Sequence, residues 1–90
     1  MIVFLIQDGK YKNKIALKLW ENPKTYTVYV KMDPNEKKPY YSSDYTTPTI
    51  KKNLLREIEV DSSSEFWPDV LDAMQAYMKQ NGSSYKYKMI

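Results

Sequence analysis

Apolar and polar residues alternate through Lys14-Ile15-Ala16-Leu17-Lys18-Leu19-Trp20 and again through Thr25-Tyr26-Thr27-Val28-Tyr29-Val30-Lys31-Met32. Glu21-Asn22-Pro23-Lys24 separates the two runs. Period-two alternation broken by a proline-containing turn predicts a β-hairpin, with strands over 14–20 and 25–32. Side chains alternate faces along a strand. The pattern therefore groups Ile15, Leu17 and Leu19 with Tyr26, Val28, Val30 and Met32 as a core face. Lys14, Ala16, Lys18, Trp20, Thr25, Thr27, Tyr29 and Lys31 fall on the other. Residues 2–7 form a continuous apolar run, expected of a central strand covered on both sides. Asp8-Gly9 is the turn that follows it. A prolyl, polar loop over 33–39 precedes a fourth, edge strand at 40–45. Residues 85–90 alternate again and suggest a last strand.

Two helices are expected. Thr47 as N-cap, Pro48 at the first helical position, and Ile50, Leu54, Leu55 and Ile58 at helical spacing predict a short helix over 48–58. The same stretch also alternates, with Leu54, Ile58 and Val60 set against Glu57, Glu59 and Asp61. The cap decides for helix. A longer helix over 64–80 carries the stripe Phe66, Trp67, Val70, Leu71, Met74, Tyr77 and Met78. It has a Ser62-x-x-Glu65 capping box before it and Asn81-Gly82 as its stop. Pro68 restricts where regular helix can begin. The fold class is α+β: one domain over 1–90, an antiparallel sheet of four or five strands, and both helices on one face.

Composition narrows the function. The chain has 90 residues, no cysteine and no histidine. Serine or cysteine nucleophiles activated by histidine are excluded, and so is a thiolate metal site. Gly9 and Gly82 are the only glycines, too few for a phosphate-cradling loop. Asp61, Glu65, Asp69 and Asp72 share a helical face, but acidic residues near a helix start also complement its dipole. No catalytic residue, cofactor or metal ligand is assigned. The first apolar run is too short for a signal core or a membrane span, so a soluble cytoplasmic protein is expected. Net charge is +3. Residues 1–52 hold ten lysines and five carboxylates, whereas 53–81 hold two cations and six carboxylates. The expected molecule has a basic sheet and an acidic helix.

Basic and aromatic residues on one sheet face are the parts needed to bind nucleic acid. Aromatic rings stack on bases and lysines neutralise phosphates. The expectation is a non-enzymatic module in which Lys14, Lys18 and Lys31 contact phosphate, Trp20 and Tyr29 stack, and Lys10, Lys12, Lys37 and Lys38 extend the contact from loops. The alternative for that face is cover by the first helix or the C-terminal strand, with Trp20 buried.

Residues 24–59 are similar in layout to part of the arm-type DNA-binding domain of phage integrases. The likeness lies in Tyr26-Thr27-Val28-Tyr29-Val30, the turn Asp33-Pro34-Asn35-Glu36-Lys37-Lys38, Tyr45 and the helix expected after Thr47. It covers less than half the chain and rests on spacing, and the acidic helix departs from the pattern. The resemblance implies a sheet entering a DNA groove. The competing class is a small phage- or mobile-element-type inhibitor that docks on a host protein, since Tyr, Trp and Met suit interface cores. A homodimer through an open edge at 40–45 is a further expected contact.

Overall fold

The computed structural model describes residues 1–80. The strand expected at 85–90 lies outside the described residues. β1 (Ile2–Ile6), β2 (Ile15–Glu21) and β3 (Thr25–Lys31) form the expected antiparallel meander. Asp8 and Gly9 begin the first turn. Gly9 has a φ of 91°, and the Asp8 carboxylate accepts its N–H at 2.8 Å. Asn13 adopts a φ of 71° before β2, a conformation asparagine tolerates better than most residues. The β2–β3 hairpin closes where the Asn22 N–H donates to the Thr25 carbonyl at 2.9 Å.

Residues 45–59 correct the expected helix over 48–58. They form β4 (Tyr45–Thr46), β5 (Thr49–Lys51), a 3₁₀ turn (Lys52–Leu54) and β6 (Leu55–Glu59). The edge strand expected at 40–45 shrinks to two residues, short enough to blunt edge-to-edge association. β4 and β5 both pair with β3, while β6 pairs with β1. One segment thus runs from one edge of the meander to the other, and the sheet curls back on itself. Pro48 accepts the Val28 N–H through its carbonyl at 3.0 Å, and a strand edge does not require the N–H that proline lacks. A helix would set Ile50, Leu54 and Ile58 on one stripe. The fold instead sends Ile50 and Ile58 into two separate cores.

Those cores lie on opposite faces of the sheet. Val3, Ile15, Leu17 and Tyr29 join Val60, Val70 and Ala73 beneath the helix. Phe4, Ile6, Ala16, Val28 and Val30 join Tyr11, with Ile50 and Leu55 against them, inside the curl. Cross-strand partners share a face, and the register sets Leu17 opposite Tyr29 and Ala16 opposite Val30. The expected grouping of Leu17 with Val28 and Val30 is therefore wrong by one residue. Both faces of this hairpin are apolar, so alternation alone does not choose between registers. A β-bulge between Lys18 and Trp20 shifts the pairing again.

α1 (Trp67–Gln80) is the one helix of four or more residues among the described residues. It starts three residues later than expected, next to Pro68. The cap contacts move with it: the Ser64 hydroxyl accepts the Phe66 N–H at 3.3 Å, and the Asp61 carboxylate accepts the Ser63 N–H at 2.9 Å. Val70 and Ala73 are buried, and Phe66, Trp67, Met74 and Tyr77 pack around them. Leu71 and Met78 of the expected stripe are exposed.

Tyrosines tie α1 to the sheet. Tyr29 is 1% exposed. It stacks on Tyr45 with ring centroids 4.8 Å apart and meets Tyr77 edge-on at 5.2 Å. Its hydroxyl donates to Gln80 Oε1 at 2.7 Å, and the Tyr45 hydroxyl donates to Asp72. Burial holds the Tyr29 and Tyr45 phenols neutral above the ordinary value of 10.0, and for Tyr45 the Asp72 carboxylate adds to the effect. Burial and Glu36 do the same for Tyr11. The unfolded chain releases these protons at the ordinary value and the folded chain only above it. The stability they contribute is complete below that value and is lost as pH rises through the folded values. Urea midpoints measured up the alkaline range should fall above about pH 10, and less steeply in Tyr45→Phe. An identical decline in both proteins would contradict the assignment.

Candidate nucleic-acid interface

The residues expected to form one binding face are divided by the fold. Tyr29 leaves the set, because it is sealed beneath α1 and its ring faces are taken. Lys10, Lys12, Lys14, Lys31, Lys37 and Lys38 gather at the end of the sheet that carries the β1–β2 and β3–β4 loops. Lys18 and Trp20 sit toward the other end, beside the hairpin tip.

The loop end is largely self-neutralised. Lys10 pairs with Glu36, and Lys37 with Asp44. Glu36 is held below the ordinary carboxylate range by its hydrogen bond to Lys10, and Asp44 by its hydrogen bond to Lys37. Glu36 also accepts the Tyr11 hydroxyl, at 3.0 Å through Oε2. Lys14 donates to the Lys31 carbonyl at 2.8 Å. Lys14 and Lys31 line a cleft of about 270 Å³ together with Asp69 and Asp72 of α1. The acidic helix thus lies against the basic end of the sheet and offsets its charge. Lys12 and Lys38 are exposed and carry no ion pair among the described residues. Nearby, Tyr40 (79% exposed) meets Tyr41 edge-on at 5.0 Å.

The tip differs. The bulge reorients the strand just before Trp20, whose side chain is 60% exposed and has no ring partner among the described residues. Thr25 is the register partner of Lys51, and the Lys52 N–H donates to the Lys24 carbonyl at 3.1 Å. The end of β5 therefore lies alongside the hairpin tip. Lys24 and Lys51 are both exposed and carry no ion pair among the described residues. Lys18 Nζ lies 5.6 Å from the Tyr26 ring centroid and Lys52 Nζ 5.1 Å from it. Tyr26 in turn rests on Phe4, with centroids 4.7 Å apart. Each cation over the ring is worth about 0.5–1 kcal/mol at an exposed site. Glu21 is the counter-charge: Lys52 hydrogen-bonds it and holds it below the ordinary carboxylate range.

The register divides this group between the two faces of the sheet: Trp20 opposite Thr27 and Lys51 opposite Thr25 share the Tyr29 face, whereas Lys18, Lys52 and Glu21 gather around Tyr26 on the other, with Lys24 at the turn. Lys24, Lys51, Lys52 and Tyr26 are missing from the set read from sequence. The Lys51-Lys52 doublet was a visible signal, but a helix over 48–58 carries it away from the hairpin. Among the described residues, no group of three or more Asp or Glu side chains is arranged to hold a metal ion. None of the described helices is long and apolar enough to cross a membrane. Comparison with protein-family models, curated proteins and solved structures finds no match. The segment likened to the helix of the phage integrase domain is strand and 3₁₀ turn here, which removes the helical part of that likeness.

Proposed function

We propose that the protein is a non-enzymatic nucleic-acid-binding module whose contact surface is the β2–β3 hairpin tip with Lys51 and Lys52 beside it. The observation that carries this reading is the solvent-exposed Trp20 at a tip where Lys24 and Lys51 are also exposed and hold no carboxylate among the described residues. Indole supplies a stacking surface and ammonium groups displace the counterions of a phosphate chain. The loop-end lysines contribute less, because Lys10 and Lys37 already hold carboxylates.

Salt titration of oligonucleotide binding tests it. Each neutralised phosphate contributes about −0.7 to the slope of log K against log salt on a single strand and about −0.9 on a duplex. Replacing Lys24 and Lys51 together by glutamine should flatten the slope by about 1.4 on a single strand. Replacing Lys10 and Lys37 should leave it nearly unchanged. An absence of binding to DNA and RNA oligonucleotides at low salt would overturn the reading. It would leave docking on a protein partner, for which the exposed Leu71 and Met78 of α1 offer apolar surface.

A further inference from the structure

We infer that the ligand of the hairpin tip is single-stranded, with one unpaired base stacked on Trp20 and the adjoining phosphates held by Lys24 and Lys51. The inference rests on the nucleic-acid reading above and specifies its ligand.

Three observations lead to it. Trp20 is a flat apolar surface in water, 60% exposed, whereas the Phe4 and Tyr29 rings of the same sheet are buried. The bulge between Lys18 and Trp20 lies immediately beside it, and bulges re-aim side chains. The second ring near the tip, Tyr26, is half-buried, and its surroundings are taken by Phe4, Lys18 and Lys52. The tip therefore offers one ring, hence a site for one base. A base within a duplex is already stacked on both faces, so an indole reaches it only by unstacking a step, which costs a few kcal/mol. An unpaired base has both faces open.

Charge agrees with this division. Lys51 of β5 is the register partner of Thr25, Lys24 directly precedes Thr25, and neither lysine holds a carboxylate among the described residues. They provide two phosphate contacts at the tip, Lys51 on the same sheet face as Trp20, a set that suits a short run of strand. Lys52, tied to Glu21 and over Tyr26, supports the tip itself.

The chain holds two tryptophans, and the other, Trp67, packs against the core beneath α1. Trp67→Phe makes Trp20 the sole indole reporter. Emission should be quenched when that variant binds a short oligothymidylate and change little when it is titrated with a blunt duplex at the same salt. Trp20→Ala, whose fold is checked by circular dichroism, should lose about 5- to 150-fold in single-strand affinity, the range typical of one stacked base. Trp20→Phe should restore part of the loss. Its duplex affinity should change far less. If the duplex binds as tightly as the single strand, or if Trp20 emission stays constant while the oligothymidylate binds, the inference fails and the broader reading stands. If neither nucleic acid binds at low salt, the broader reading fails with it.

Discussion

Tyr29→Ala is expected to cost about 3–5 kcal/mol of folding stability, the usual toll for truncating a buried aromatic side chain to alanine. Domains of this kind have only about 5–15 kcal/mol in total. The ring is 1% exposed and is contacted by two other tyrosines, so its removal leaves Tyr45 and Tyr77 facing a void. It also removes the donor to Gln80 Oε1, a side chain at the last residue of α1. Urea denaturation should register the full loss. Tyr29→Phe keeps the ring and loses only the hydrogen bond, at about 1 kcal/mol. That milder variant separates structure from binding: it should bind oligonucleotide as the parent does, because the ring never reaches solvent. A double-mutant cycle adds a test of register. Leu17 and Tyr29 are cross-strand partners and should couple by at least about 0.5 kcal/mol. No coupling between them would place them on different faces.

Phe4→Ala should be comparably damaging, at about 3–5 kcal/mol, although it touches the other core. Phe4 is 3% exposed inside the curl, with the Tyr26 ring against it. The loss bears on the tip as well, because Tyr26 is the ring beneath Lys18 and Lys52. The variant should therefore show a lowered urea midpoint and, where still folded, weakened oligonucleotide binding. A cost below 1 kcal/mol would mean that the curl holds no second core. A sheet covered only by α1 would then be the better description.

The meander was legible because each of its parts is a local property. The alternation over 14–20 and 25–32, the Asp8-Gly9 turn and the apolar run over 2–7 depend on residues close in sequence. The continuous apolar run even announced that β1 is covered on both faces: Val3 goes to one core, Phe4 and Ile6 to the other. The register was not legible. Leu17 and Ala16 are both buried, as are Tyr29 and Val30, so either pairing gives two apolar faces. The helix predicted over 48–58 fails because a good local helix start competes with a long-range demand. The outer edges of β3 and β1 both lack partners, and pairing them through one segment satisfies backbone groups that a helix would leave open.

The candidate site was half legible for the same reason. Trp20 and Lys18 were found on their own strand. Lys51 and Lys52 come to the hairpin tip only through the pairing of β5 with β3. Alternation alone puts Tyr29 on the exposed side, because it does not set the register that pairs it with Leu17. The charge split was real, but the acidic helix spends part of it on the basic loop end, where Asp69 and Asp72 face Lys14 and Lys31.

Backbone amide and indole N–H chemical shifts, followed by NMR while a single-stranded oligonucleotide is added to the protein, test the central claim most directly. The largest changes are expected at the Trp20 side chain and at the amides of Lys24 and Lys51. Changes concentrated instead at Lys10, Lys12, Lys37 and Lys38, or along the exposed side of α1, would contradict it.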